Sequence, residues 1–253
     1  MLDVDRQKRA KVAAVSTLTP LLLGPLRAHP AAPAFAAEVV RVHKRYAVEV
    51  VAAYRLCPFL RDPDVAFGRF CIVLAHQPVL DDAREAYRRA ESPVLHIVYP
   101  LSRAVPSDFE RFGGEVGRAA RDIWREAAEG DPRFGPEPPV VATFHRTLAG
   151  DRTSPHRLIG MLRRAPDPFV QIIPGGHHES GTMVAQLDDI EGMAPEALVK
   201  MLQVVPPPPK DRTQELFARL SAATLDEIEA LLADIHADRD RSYAPYFAEL
   251  NGT

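Results

Sequence analysis

The chain has 253 residues, of which 46% are hydrophobic and 26% charged, as in ordinary globular proteins. A formal net charge of −3 gives no basic excess, so neither nucleic acid nor a membrane surface is expected as a partner. Its two cysteines, Cys57 and Cys71, are too few for a disulfide framework, which favours reduced thiols and a cytoplasmic location.

The first 35 residues have the order of parts of a signal peptide, with basic residues before an apolar stretch at 12–23. Polar residues and Pro20 interrupt that stretch, and it is too short to cross a membrane. We therefore expect an N-terminal arm over residues 1–35, poorly ordered or forming a small helix, with secretion as the minor alternative.

An amphipathic helix that ends at Cys57 is predicted within residues 36–60. Its apolar positions recur at steps of three and four, which places them on one helix face. They are Val39, Val42, Tyr46, Val50, Ala53 and Cys57. Pro58 disfavours helical geometry in the residue before it. Cys57 is thus expected at the helix end, facing the rest of the protein.

Four short apolar runs predict strands at 70–75, 94–99, 139–144 and 169–173. Helical patterns separate them, at 81–90, 106–129 and 154–164. This alternation predicts an α/β domain over residues 36–194, with a small, mostly parallel four-stranded sheet flanked by helices, in which one edge strand could run antiparallel.

Beyond residue 195 only helical patterns remain, interrupted by four prolines at 206–209. They predict an all-helical C-terminal extension, residues 195–253, packed on the domain or on a partner subunit. A homo-oligomer formed through these helices is one expectation. Tyr243, Tyr246 and Phe247 are expected to make packing contacts there.

Three of the predicted strands end on histidine: His76, His145, and the pair His177 and His178. Ligands of open parallel sheets bind beyond the carboxyl ends of the strands. Each histidine alone is more typical of a loop, and Cys57 alone of a buried apolar site. Together they predict a reaction centre.

The segment Arg55-Leu56-Cys57-Pro58-Phe59 resembles a bacterial family described as domain of unknown function 1415. Phe144-His145, Ser154-Pro155 and Leu162-Arg163 follow in the order of that family's motifs, so the resemblance covers roughly residues 40–165. The stretch 144–154 departs from the family, being shorter and lacking a proline and a tyrosine, and His156 stands where a tyrosine is expected. The resemblance implies that Cys57 and His145 belong to a site and implies no substrate.

Three chemistries fit such residues. Cys57 could be a nucleophile with His145 as its base, although a helix C-terminus raises a thiol pKa unless a cation such as Arg55, Arg146 or Arg152 is near. Zinc or iron could bind Cys57 and His145 with His76, His177 or His178. Haem with an axial cysteine or histidine is the third.

Arg146 and Arg152 flank a short loop and could clamp a carboxylate or phosphate, with His156 beside them as a further substrate-binding residue. The glycine-bearing segment 175–182 predicts either a mobile loop over the site or a long surface turn. The leading hypothesis is a soluble enzyme acting on a small polar or anionic metabolite. The alternative is a non-catalytic binding or interaction protein in which Cys57 is structural.

Overall fold

The computed structural model of the protein describes residues 19–56, 69–90, 94–127, 131, 134, 137–175 and 212–250. Within these residues five strands form one sheet: β1 (Leu21–Leu23), β2 (Arg69–Val73), β3 (Leu95–Val98), β4 (Val140–Phe144) and β5 (Phe169–Ile173). The same residues contain six α-helices: α1 (Ala32–Arg45), α2 (Leu80–Arg88), α3 (Pro106–Glu126), α4 (Pro155–Leu162), α5 (Arg212–Arg219) and α6 (Ala222–Leu250). The predicted α/β class is confirmed.

The sheet is mixed, which corrects the prediction of four mostly parallel strands. Its order is β1-β2-β3-β5-β4. The first three strands pair in parallel, whereas β5 is antiparallel to both β3 and β4. The antiparallel strand therefore lies inside the sheet and not at an edge. The fifth strand, β1, falls in the predicted N-terminal arm, where its three residues are too few to show a period of two.

The direction of β5 decides which loops can meet. β2, β3 and β4 end at one edge of the sheet, which we call the carboxyl edge, and β5 begins there. β5 ends at the opposite edge, where Gly175 packs so closely against Pro138 that no side chain fits between them. The topological reason for expecting the fourth strand to end beside His145 is therefore removed.

One face of the sheet, the α1 face, presents Phe70, Ile72, Val98 and Phe169 to α1, α4 and α6. The buried residues of these helices include Phe35, Val39, Val42, Leu158, Met161, Ile228, Leu232, Ile235 and Tyr243. The predicted apolar helix face is thus confirmed at Val39, Val42, Tyr46 and Val50, whereas Ala53, predicted on the same face, is exposed. The long helix α6 completes this core layer, since it packs directly on α1.

The opposite face, the α3 face, carries Cys71, Val73, Ile97 and Val170. It is covered by α2 and by α3, which forms within the helical pattern predicted at 106–129 and whose buried stripe includes Phe109, Phe112, Val116, Ala120 and Ile123. α4 also begins as predicted, because the Ser154 hydroxyl accepts a hydrogen bond from the Arg157 N–H and Pro155 occupies the first turn. Among the described residues, no helix is long and apolar enough to cross a membrane.

Candidate functional site

The helix that leads to Cys57 changes type before it ends. α1 continues without a break into a seven-residue π-helix, Tyr46–Ala52. The wider turn is seen where Ala53 N–H donates to Val48 O at 3.2 Å, five residues back. Such segments are rare and frequently lie at functional sites. The sequence gives no sign of it, because apolar residues at steps of three and four fit an α-helix equally well.

The π-helix ends in a Schellman motif built on Arg55. Leu56 N–H donates to Val51 O at 2.8 Å, and Arg55 N–H donates to Ala52 O at 3.1 Å. In a Schellman motif the residue just after the helix adopts a left-handed backbone conformation. Arg55 is that residue, with a φ of 51°. Glycine normally takes this position because it has no Cβ to clash. Arg55 therefore holds a strained backbone two residues before Cys57.

A cation covers the end of this helix. The Arg219 guanidinium, on α5, donates to the carbonyl oxygens of Tyr54 and Arg55, both at 3.0 Å. Those carbonyls carry the partial negative charge of the helix C-terminus, which a guanidinium neutralises. Sequence reasoning missed Arg219 because it lies 164 residues from Arg55 along the chain.

Cys57, His177 and His178 lie outside the described residues, so the structure places none of them. The other cysteine, Cys71, is fully buried on the α3 face. Burial raises the pKa of the Cys71 thiol far above its ordinary value. Cys71 is therefore a packing residue with no thiolate character at neutral pH.

His145 is nearly buried at the carboxyl edge, and both of its ring nitrogens contact the main chain. Nε2 lies 3.1 Å from Ala104 O, and Nδ1 lies 3.2 Å from both the N–H and the hydroxyl of Thr147. A neutral ring that donates from Nε2 and accepts at Nδ1 satisfies all three contacts. Burial lowers the pKa of His145, against the raising effect of the Ala104 carbonyl.

Arg146 and Arg152 are each paired with carboxylates of α6. Arg146 binds both oxygens of Asp240 at 2.6 Å, and Arg152 binds Asp226 at 2.6 Å and Glu229 at 2.7 Å. Asp226 and Asp240 are 14 residues apart on α6 (240 − 226), which is about 21 Å along the helix axis. The two guanidiniums therefore do not converge on one small anion. His156 is exposed on α4.

His76 follows β2 at the carboxyl edge. Its Nδ1 atom is buried without a hydrogen-bond partner in the part of the chain that the structure describes, as is the hydroxyl of Tyr99. Within that same part, no group of three or more histidines, cysteines or acids lies close enough to hold a metal ion. The predicted metal set is thus represented there only by His76 and His145.

A buried network at Asp167 was not predicted. The Asp167 carboxylate accepts from Arg239 Nε at 2.9 Å and Tyr243 OH at 2.8 Å, and lies 3.1 Å from His43 Nε2. Burial would raise the pKa of Asp167, but the His43 hydrogen bond and the charge of Arg239 hold it below its ordinary value. The network joins α1, α6 and the start of β5, and its partners are too distant in sequence to suggest it.

A row of stacked side chains crosses the α1 face. Phe70 lies 5.0 Å from His96, His96 lies 5.5 Å from Phe169, and Phe169 lies 4.1 Å from Phe144, as ring-centroid distances. The guanidinium carbon of Arg163 then lies 5.6 Å from the Phe144 centroid. The row follows the strand order, since these residues come from β2, β3, β5 and β4. We call it the stacking row.

Two of the stacking row's members belong to the motifs that suggested a family. The His145 N–H donates to Arg163 O at 3.2 Å, beside the Arg163–Phe144 stack. Tyr46 OH donates to Leu162 O at 2.8 Å, which ties the start of the π-helix to the same place. The Phe144-His145 and Leu162-Arg163 motifs therefore form one contact at the carboxyl edge.

A separate cavity of about 260 Å³ lies at the opposite edge of the sheet. Its lining includes Arg69, Cys71, Arg89 and Leu95. This places the cavity at the start of β2 and β3, away from His145 and the stacking row's Arg163 end.

The described residues form a three-layer α/β protein with a mixed five-stranded sheet. The helix that leads to Cys57 ends in a π-helix, a left-handed arginine and a capping guanidinium. No protein-family model, curated protein or solved structure matches the chain.

Proposed function

We propose that the protein is an enzyme that acts on a small polar or anionic metabolite, with Cys57 at the centre of its site. The observation that supports this is the backbone leading to Cys57. A π-helix and a left-handed arginine occur within ten residues, Tyr46–Arg55, and each costs stability that an ordinary helix end would not. Backbone strain of this kind is typical of functional sites, where it fixes the position of a reactive side chain.

The charge at the helix end also favours thiol chemistry. A helix C-terminus alone disfavours a thiolate, which was the physical objection to Cys57 as a nucleophile. Arg219 donates to the carbonyls of Tyr54 and Arg55 and thereby places a positive charge at the C-terminus of this helix. In this proposal the Cys57 thiolate is the nucleophile and Arg219 offsets the helix dipole.

His145 is the proposed general base, and the structure sets the condition for that role. Its Nδ1 would have to exchange the Thr147 hydrogen bonds for a proton from the substrate or from the thiol. The metal- and haem-supported alternatives use Cys57 as a ligand instead of a nucleophile. A metal site that includes His145 would likewise require one of its ring nitrogens to give up its present hydrogen bond.

The decisive experiment is the rate of Cys57 alkylation by iodoacetamide in the native protein between pH 5 and 10. Cys71 is buried with a raised pKa, so the native protein reports Cys57 alone, and Cys71→Ala is the control that verifies this. The proposal predicts an apparent thiol pKa at least one unit below the ordinary value of about 8.5. Arg219→Gln should move that pKa upward.

An absorption spectrum with elemental analysis of the same sample separates the alternatives. A Soret band, or near-stoichiometric zinc or iron that is lost in Cys57→Ala, would replace nucleophilic chemistry with cofactor chemistry. A metal-free protein whose Cys57 alkylates with an ordinary thiol pKa would contradict the enzyme proposal.

A second candidate function is a non-catalytic binding or interaction protein. The observation in its favour is that these side chains are already engaged within the chain. His145 contacts a main-chain carbonyl, and Arg146 and Arg152 bind carboxylates of α6. In that case Cys57→Ala would lower the free energy of unfolding and leave all binding unchanged.

A further inference from the structure

Arg163 differs from the other arginines that surround the α1 face. Arg41, Arg45, Arg146, Arg152 and Arg239 each bind a carboxylate at 2.6–2.9 Å, and the neighbouring Arg164 donates to the carbonyls of Leu148 and Gly150. Among the described residues, the Arg163 guanidinium has neither an ion pair nor a hydrogen-bond acceptor, and its contact is the Phe144 ring.

Arg163 is also not an ordinary surface arginine. Arg163 is partly exposed as a residue, and the atoms around it are dense enough that burial lowers the pKa of its guanidinium. Placing a cation in such surroundings without an acceptor is costly. An anion that accepts hydrogen bonds from the guanidinium N–H groups would offset this cost.

The geometry holds the guanidinium ready for such an anion. Arg163 stacks on Phe144, which stacks on Phe169 at 4.1 Å with the two rings 8° from parallel. Phe144 belongs to β4, the last strand in the order of the described sheet, so Arg163 lies at the end of the stacking row. A guanidinium carries paired N–H donors that match a carboxylate or phosphate in a two-point contact.

The described charged and polar groups around Arg163 do not accept hydrogen bonds from its N–H groups. Glu110 on α3 acts on Arg163 electrostatically but makes no ion pair with it in the described part of the chain. The nearby hydroxyl of Tyr46 donates to Leu162 O. His145 faces away, toward Ala104. Among the described residues, no carboxylate therefore accepts a hydrogen bond from Arg163, and the charge of Glu110 is the one that an incoming anion would have to displace.

We propose that Arg163, stacked on Phe144, is the binding site for the carboxylate or phosphate group of a small molecule at the β4 edge of the sheet. This site is independent of Cys57 and stands or falls separately from the enzyme proposal. Sequence reasoning placed anion binding on Arg146 and Arg152, both of which the structure shows engaged with α6.

The test is a titration of the full-length protein with inorganic phosphate and, separately, with acetate, followed by the NMR resonances of the arginine Nε–H groups. One resonance should shift to saturation, and Arg163→Gln should abolish it. Arg118→Gln, which removes the same charge from an exposed position on α3, should leave the titration unchanged. Comparing phosphate with acetate shows which oxyanion the site prefers.

Two further variants keep the test decisive if Arg163→Gln folds poorly. Arg163→Lys retains the charge but loses the planar fork, and Phe144→Leu retains the arginine but loses the stack. Each should weaken binding at least tenfold. Titrations that do not saturate, or that are equal in wild type and Arg163→Lys, would overturn the proposal and leave Arg163 satisfied by Phe144 and water.

Discussion

At the scale of single residues, Arg55 is the clearest case of a side chain in an unfavourable backbone position. Its φ of 51° lies in the left-handed region, which costs an L-residue roughly 1–2 kcal/mol relative to glycine. No other described residue except Gly24 has a positive φ. The Schellman hydrogen bonds and the Arg219 cap hold Arg55 there.

Arg55→Gly should therefore raise the free energy of unfolding by about 1 kcal/mol, measured by urea denaturation. Arg55→Ala is the matched control, because it removes the same side chain but keeps the Cβ, and it should give no gain. A loss of stability in Arg55→Gly would mean that the arginine side chain itself supports the helix end.

His96 supplies a second prediction, on pH. Burial, aided by the nearby His43, lowers the pKa of His96 to about 3. The unfolded chain takes up a proton near pH 6.5, whereas the folded protein does not, so stability falls as the pH drops from 6.5 toward 3. Each such histidine contributes a slope of up to about 1.4 kcal/mol per pH unit, and burial lowers the pKa of His145 and His236 in the same direction.

His96→Gln should reduce this slope between pH 6.5 and 4.5, measured by urea unfolding at several pH values. At pH 8 neither state protonates, so the difference between variant and wild type there reports packing alone. An unchanged slope would show that His96 protonates equally in both states.

At the scale of elements, the Asp167 network connects α1, α6 and the start of β5 through one buried carboxylate. Asp167 is fully buried and Arg239 nearly so, and Arg239 also donates to Pro100 O at 3.0 Å. Breaking a buried charge pair by removing one partner costs about 3–5 kcal/mol, whereas exposed pairs contribute about 0–1 kcal/mol.

Asp167→Asn should therefore destabilise the protein by about 3–5 kcal/mol in chemical denaturation. Asp226→Asn, which breaks an exposed pair with Arg152, is the control and should cost less than about 1 kcal/mol. If Asp167→Asn does not fold, Tyr243→Phe removes one hydrogen bond and should cost about 1 kcal/mol. Equal effects of the two aspartate variants would contradict this account.

The elements also show what a sequence reveals. α3 and α4 are predictable because a long apolar stripe and a Ser-Pro cap are local signals. β1 is not, because three residues pair with β2 only once the sheet exists. Nor is the direction of β5, since an apolar run has the same pattern in parallel and antiparallel pairing. The π-helix is hidden because its buried residues Tyr46 and Val50 are four apart, a spacing that also fits an α-helix.

At the scale of the whole molecule, α6 belongs to the core and not to its surroundings. Its residues Ile228, Ile235 and Tyr243 are fully buried against the α1 face. Arg41 and Arg45 on α1 bind Asp238 at 2.8 and 2.7 Å, and Arg45 also binds Asp234 at 2.8 Å. Without α6, the apolar side of α1 would face water.

A chain ending at residue 211 should accordingly lack a cooperative thermal transition and bind a hydrophobic dye. Supplying residues 212–253 as a separate polypeptide should restore the transition at least in part. A soluble, cooperatively unfolding chain of 211 residues would instead make the C-terminal helices an appendage.

The candidate site was predictable only where its signal is local. The helix leading to Cys57 follows from periodicity and Pro58. The partners that decide the roles of Arg146, Arg152 and Arg55 lie 94, 74 and 164 residues away, so nothing near them in the chain indicates that they are engaged. Arg163 could be named as the end of a helix, but its lack of an acceptor is a property of the folded protein.

The position of β5 also governs the order in which the protein can fold as it leaves the ribosome. β4 emerges before β5 but reaches the sheet only through it, since β5 lies between β3 and β4. The α1 face then stays incompletely covered until α6 has been synthesised. Earlier parts of the chain must therefore keep apolar surface exposed until residues 222–250 have left the ribosome. This protein should depend on chaperones that hold nascent chains more than a protein of equal size built from local contacts.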